Sequence, residues 1–419
     1  MVVNIGILGC GTVGSGLVEL LKNYPNIEIK KIAVRDTNKD RGLALSKDVF
    51  TDKPEEVIDN PEVDIVIELM GGIEKTQTLI SKALENGKHV ISANKDLIAL
   101  KGEELFAVAA KNNKTILYEA AVAGGIPVIA TLKQSLQGNH IKELDGIING
   151  TTNYILDQMK KYGASFEDAL QEAQDLGYAE SDPTNDVDGH DAAYKIAILA
   201  SIISGKKVDV DKVYREGIRK ISQADIQSAE KRGYTIKLLA IAKNDSETLD
   251  VRVHPVFVPK ETTLANISAE NNAVMVNGSA VGELTLIGKG AGSLATASSV
   301  LGDLLMLVNQ SNGINPQFAV AAHAEEAKIK DIADVKNSFY LRLAMHDKIG
   351  VLKNLGDITE KNGANVKFID QYAVEGDQAL ADLLIDPLSE ADMNKMIEVI
   401  EALPSIKAIE SVIRVLDFN

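Results

Sequence analysis

The sequence holds a single cysteine, Cys10, among 419 residues. One thiol leaves no internal disulfide to form and no cysteine cage for zinc, which fits a reducing compartment. Basic side chains are also scarce: 44 lysines and arginines face 60 aspartates and glutamates, a net charge of −16. Binding a phosphate backbone relies on clustered cations, so this balance argues against a nucleic-acid partner. No run of eighteen apolar residues occurs, so no membrane-spanning helix is expected. The opening residues, Met-Val-Val-Asn-Ile-Gly-Ile-Leu-Gly, lack the basic start of a signal peptide and read as a strand. These absences leave a soluble, cytoplasmic protein, long enough for two or three domains.

Residues 2–8 form a short apolar run that leads directly into Gly9-Cys10-Gly11-Thr12-Val13-Gly14, after which Leu17, Val18, Leu20 and Leu21 fall at helical spacing. Glycines at this spacing between a strand and a helix suit a dinucleotide. Gly9 makes the tight turn, Gly11 lets backbone approach a pyrophosphate, and Gly14 packs the helix against the sheet. The next strand, residues 27–34, ends at Arg35-Asp36, where an acid would hold the ribose of NAD and an arginine the 2′-phosphate of NADP. With Arg35 first and Lys39 and Arg41 close behind, NADP is favoured; a solvated basic turn is the alternative. Further strands at 64–69, 89–92 and 115–119 predict a Rossmann-type, doubly wound parallel sheet over residues 1–135. Lys95 follows the fourth strand, placed either to face the crevice or to cap the next helix. The loop at 120–127 has few side-chain donors; its carbonyls and Glu119 suit a hard cation as well as they suit plain packing.

Residues 136–330 are expected to form an α+β substrate-binding and dimerisation domain. A strand at 141–148 runs into Asn149-Gly150-Thr151-Thr152-Asn153-Tyr154, a strand-to-helix turn expected to be capped by its threonines. Farther on, Glu180, Asp182, Asp186, Asp188 and Asp191 crowd into twelve positions, followed by Lys195. Such a cluster repels itself unless a cation sits among it. Calcium fails a register test: with Gly189 at the sixth position of an EF-hand loop, Lys195 falls at the twelfth, where a glutamate is required. Zinc fails because His190 has no second histidine or cysteine at ligand spacing. Asp191 and Lys195 share a helix face, and on an exposed helix such a pair is worth only about 0.3–0.5 kcal/mol. The helix continues through Ile196, Ile198, Leu199, Ile202 and Ile203, apolar enough to be buried, and charges at the head of a buried helix usually serve chemistry or a partner.

Five segments in order, Gly-Thr-Val-Gly at 11–14, Ser-Ala-Asn-Lys at 92–95, Glu-Ala-Ala-Val-Ala-Gly-Gly-Ile-Pro at 119–127, Asn-Gly-Thr-Thr-Asn-Tyr-Ile-Leu at 149–156 and Gly-Tyr-Ala-Glu-Ser-Asp-Pro through Lys195, resemble the homoserine dehydrogenase family. The resemblance implies NAD(P)-dependent interconversion of L-homoserine and L-aspartate 4-semialdehyde, a step toward threonine, methionine and isoleucine. It implies Lys195 as acid/base and Lys95 as a second active-site lysine that also meets the cofactor. Glu180, Asp186 and Asp191 would bind substrate, whose ammonium is then the missing cation. Gly9, Gly11, Thr12, Val13, Gly14, Arg35, Gly177 and Gly292 would bind the cofactor. Glu119, Val122, Gly124 and Ile126 would surround a structural sodium ion. The alternatives are another Rossmann reductase of an amino-acid-derived aldehyde or imine, and a non-catalytic amino-acid and nucleotide sensor.

Residues 273–277 and 284–287 read as a hairpin, followed by a second glycine-rich helix entrance, Gly288-Lys289-Gly290-Ala291-Gly292-Ser293. From 336 to 419 the order strand, helix, strand, strand, helix, strand is ferredoxin-like and resembles an ACT regulatory domain. The resemblance implies an amino-acid effector, with threonine expected, and a homo-oligomer, either dimer or tetramer. A purely oligomerising role is the alternative, since Ile349 replaces the proline of the usual Asp-x-Pro-Gly loop at 347–350.

Overall fold

Short runs of isoleucine, valine and leucine bounded by glycine and polar turns build the first sheet, because strands covered on both faces need no polar alternation. In the computed structural model, which describes residues 2–245, 247–309, 322–374 and 376–416, these are β1 (Val3–Leu8), β2 (Ile27–Ala33), β3 (Phe50–Thr51), β4 (Ile65–Glu68), β5 (His89–Ser92) and β6 (Ile116–Leu117). All pair in parallel, in the order β3-β2-β1-β4-β5-β6. The order reverses direction between β1 and β4, which opens a crevice beyond their carboxyl ends. The sixth strand, β3, is a two-residue edge that no periodicity could announce. The expected strand at 115–119 shortens to β6 because Glu119–Ala121 coil into a 3-10 turn.

The second sheet comprises β7 (Ile141–Ile147), β8 (Tyr214–Arg215), β9 (Tyr234–Asp245), β10 (Thr248–Pro259), β11 (Asn271–Gly278), β12 (Gly282–Lys289), β13 (Lys336–His346), β14 (Val366–Ala373), β15 (Gln378–Ser389) and β16 (Ile406–Val415). Its path is β12-β11-β7-β9-β10-β16-β13-β15-β14, with β8 alongside β10. The expected 136–330 unit includes residues 310–321, which lie outside the described residues.

The last four strands form the ferredoxin-like order β16-β13-β15-β14, all antiparallel, with helices Val351–Lys361 and Glu390–Glu401. They do not form a separate sheet. β16 joins β10 in parallel at Val256↔Arg414 and Phe257↔Val415, so one sheet runs through the middle and the C-terminal parts of the chain. Phe257 stacks on Tyr340 across this seam, ring centroids 4.6 Å apart. Arg414, also at the seam, is buried and donates to both carboxylate oxygens of Glu390 (2.6 and 2.8 Å), to Glu216 (2.8 Å) and to the Tyr214 hydroxyl (3.0 Å).

Replacing Arg414 with methionine leaves the buried Glu390 carboxylate, among the described residues, with only Asn337 as a donor. A loss of about 3–5 kcal/mol in unfolding free energy is expected, because one partner of a buried ion pair is removed. Denaturant titration checks this, with Arg414→Met/Glu390→Gln expected to recover part of the loss. An unchanged midpoint in the single variant would show that the seam carries no such load.

Candidate active site

Two of the three fingerprint glycines, Gly9 and Gly14, stand where a side chain would not fit. Gly9 has φ +99°, and a Cβ there would lie 2.6 Å from the Leu69 carbonyl oxygen. A Cβ on Gly14 would lie 2.7 Å from the Gly9 carbonyl oxygen, whereas one on Gly11 would meet only open space. Helix Thr12–Leu21 starts at Gly11 with no side-chain cap and no acid in its first turn, so its amides are available to an anion. The second glycine-rich entrance is packed beside the first. Ser293 Oγ donates to the Thr12 carbonyl (2.7 Å), and a Cβ on Gly16 would lie 2.8 Å from the Ser293 carbonyl oxygen.

Both entrances open on one cleft of about 960 Å³ between the two sheets. Thr12, Lys95, Gly177, Glu180, Asp186, Asp191, Lys195 and Gly292 line it, as does Gly124, whereas Gly9, Gly11, Val13, Gly14, Glu119, Val122 and Ile126 are not in its lining. Arg35 stands apart, exposed beyond β2 and outside that lining. Arg41 is better anchored to the fingerprint. Its Nε donates to the Cys10 carbonyl (3.2 Å), one terminal nitrogen donates to the Asp36 carbonyl (2.8 Å), and its guanidinium lies 5.3 Å from the Phe50 ring centre.

Helix His190–Ser204 starts at the left-handed Gly189 and packs on β9 and β10, with Asp191 in its first turn. Asp191 Oδ2 accepts from Lys195 Nζ (2.7 Å) and from Asn149 Nδ2 (2.9 Å), while Oδ1 lies 3.2 Å from Lys95 Nζ. Lys195 Nζ also donates to the Ile148 carbonyl (2.7 Å). Burial opposes ionisation of Asp191, but the two lysines outweigh it and hold the carboxyl below its ordinary value. Burial likewise works against the Lys95 charge, yet Asp191 and Asp96 raise its pKa. Lys95 is the first residue of helix Lys95–Lys111 and faces the cleft, whereas the cap is Asn94.

Asn149 is the residue the sequence reading missed. Its Oδ1 caps helix Gly150–Tyr162 by accepting from the Thr152 amide (2.9 Å), which turns Nδ2 toward Asp186 (2.7 Å) and Asp191. The sequence suggests the threonines of Asn-Gly-Thr-Thr as the cap, whereas Asn149 makes it; the two carboxylates lie 37 and 42 residues away, too far for sequence to show. Burial pushes the Asp186 carboxyl up, with the Asn149 bond opposing.

The loop after β6 carries two consecutive left-handed residues, Ala123 (φ +55°) and Gly124 (φ +49°). The Glu119 carboxylate accepts from the Ile129 (2.8 Å) and Ala130 (2.6 Å) amides. Main-chain carbonyls are thus the loop's candidate ligands for a hard cation, and the glutamate side chain is occupied elsewhere.

Two family profiles match the chain: "Homoserine dehydrogenase, NAD binding domain" over residues 9–119 and "Homoserine dehydrogenase" over residues 127–305. The chain is 41% identical to the homoserine dehydrogenase of Synechocystis, covering 99% of this chain and 100% of that one. It is similar in structure to a homoserine dehydrogenase from Thiobacillus denitrificans (TM-score 0.94, 38% identity, 100% and 99% covered). It also resembles a hyperthermophilic archaeal homoserine dehydrogenase in complex with NADPH (TM-score 0.64, 28% identity, 74% and 98% covered).

A carboxyl held low contributes stability that is complete above its unfolded value and lost as pH falls through the folded one. Thermal melts of wild type against Asp191→Asn are therefore expected to show a constant difference from about pH 7 to about pH 5, shrinking only below about pH 4. A difference that already shrinks between about pH 6 and pH 5 would show that the lysines do not hold Asp191 down.

Proposed function

The chain belongs to the homoserine dehydrogenase family, and from that premise we propose that Lys195 carries the proton in the interconversion of L-homoserine and L-aspartate 4-semialdehyde. The observation that carries this is the geometry at Nζ. Asp191 and the Ile148 carbonyl take two of its donor positions, which leaves one position at nitrogen for the cleft. In the ammonium that position is an N–H, and in the neutral amine it is the lone pair. During oxidation the lone pair accepts the proton of the substrate's C4 hydroxyl; during reduction the N–H returns it to the forming alkoxide. A bound nicotinamide supplies the hydride acceptor in one direction and the donor in the other.

Glu180 and Asp186, on the cleft wall, suit the ammonium of the amino-acid substrate, and Asp191 joins them while holding both lysines. The bare amides at Gly11–Gly14, with Gly177 and Gly292 opposite, suit a pyrophosphate. Arg35 and Arg41, together at the end of β2, favour NADP over NAD. A structural sodium ion suits the carbonyls of Glu119, Val122, Gly124 and Ile126, given the left-handed turn there.

The C-terminal ferredoxin-like part is proposed as an ACT regulatory domain, over 336–419, with 1–135 and 136–330 as the cofactor and substrate domains. Threonine is the proposed effector, and the sheet continuous from β10 to β16 supports a route from that part to the site. A homo-oligomer is proposed because both edge strands, β12 and β14, carry exposed apolar side chains, Ile287 on one and Ile369 on the other. No helix among the described residues is long and apolar enough to cross a membrane, in keeping with a proposed cytoplasmic location.

An amine is a base only after losing its proton, so homoserine oxidation is expected to rise with pH through the alkaline range. Lys195→Met is expected to lower kcat by at least about 100-fold while NADPH binding by fluorescence titration stays within about threefold. Retained turnover in this variant, or a profile flat from neutral to strongly basic pH, would remove Lys195 from the role.

A further inference from the structure

At the carboxyl end of β4, in the middle of the parallel sheet, stands a carboxylate that the proposed reaction does not use. Glu68 is completely buried, 0% exposed, and does not line the cleft. Its Oε1 accepts from the amides of Met70 (2.8 Å) and Gly71 (3.0 Å), and its Oε2 accepts from the Ser92 hydroxyl at the end of β5 (2.7 Å). Burial raises its pKa, and these donors oppose the rise. An acid in this position is costly unless its acceptors are all used, and here they tie two neighbouring strand ends together.

The link continues to the next helix. Ser92 Oγ accepts from the Asn94 amide (3.1 Å), Asn94 Nδ2 donates to the Gly72 carbonyl (2.7 Å), and Asn94 Oδ1 caps the Leu97 amide (3.1 Å). Leu97 lies in the first turn of the helix that Lys95 opens. Gly71 (φ +71°) and Gly72 (φ +77°) are both left-handed, and this folds the loop back so that its amides meet Glu68 and its carbonyl meets Asn94. One buried carboxylate thus governs where the helix carrying Lys95 begins.

We infer that Glu68 is a positioning residue for Lys95: through Ser92 and Asn94 it sets the helix start so that Lys95 Nζ reaches Asp191. The inference rests on the proposed function, with Lys95 read as a second active-site lysine beside Lys195, where it pairs with Asp191 in the cleft. Glu68→Gln keeps the volume and keeps Oε1 on the Met70 and Gly71 amides only by turning its nitrogen onto Ser92 Oγ, which leaves the Ser92 hydroxyl proton without its acceptor and replaces charge-assisted bonds by neutral ones, so the link weakens. A misplaced catalytic group costs rate rather than binding.

The test is a double-mutant cycle in the full-length enzyme. Glu68→Gln is expected to lower kcat for homoserine oxidation about 10- to 100-fold, with homoserine KM and NADPH Kd within about threefold. In the Lys95→Ala background the same change should lower kcat by less than about threefold, because the group it positions is gone. Losses that multiply in the double variant would overturn the inference, as would an NADPH Kd that weakens as much as kcat falls. Should Glu68→Gln not fold, Ser92→Ala breaks the link from β5 by removing one hydroxyl, and it must show the same non-additivity with Lys95→Ala or the inference fails. If Lys95→Ala alone leaves turnover unchanged, the role proposed for Lys95 falls first; multiplying losses beside an impaired Lys95→Ala overturn only the link to Glu68.

Discussion

A buried carboxylate between two lysines holds this molecule's two halves in working relation. Asp191 belongs to helix His190–Ser204, packed on the second sheet, and so does Lys195; Lys95 comes from the end of β5 in the first. An isolated carboxylate at this depth would cost several kcal/mol, and only close counter-charges with further hydrogen bonds offset that. Asp191 has both, and each of its oxygens is directed toward a different sheet. The position of the two sheets across the cleft and the ionic state of the site are therefore one constraint: a displacement of either sheet breaks an ion pair.

The same economy runs through the cleft walls. Asn149 caps a helix with one end of its amide and orients Asp186 and Asp191 with the other. Ser293 opens one helix and bonds to the start of another, so two glycine-rich entrances become one surface. Each contact fixes a functional group by giving it a second, structural task, which rigidifies the site without adding residues to it.

The seam between β10 and β16 has a comparable effect at the other end of the chain. Two residue pairs and the Arg414 network make one sheet from what reads as two units. β8 and β16 share the same edge of β10, so the segment carrying Glu216 lies between the C-terminal strands and helix His190–Ser204. Gly189, the start of that helix, lies close to this segment: a Cβ there would be 3.6 Å from the Glu216 carbonyl oxygen.

Read alone, the amino-acid order determined the local features: the glycine fingerprint, the strand-to-helix turn at 149–154, the buried helix after Asp191, and the crowding of acids ahead of Lys195. These depend on spacing within a few residues, where sterics and helical or strand periods act directly. Resemblance in five short segments carried the reading further, to a family. Only the tertiary structure decided that Lys95 meets Asp191 from the other sheet, that Asn149 reaches both carboxylates, that Arg41 touches the fingerprint loop, and that Glu119 turns its side chain onto two amides. It also decided that the C-terminal strands extend the second sheet. Each of these joins residues far apart in the chain through one or two hydrogen bonds or ion pairs, and such contacts leave no periodic trace in sequence.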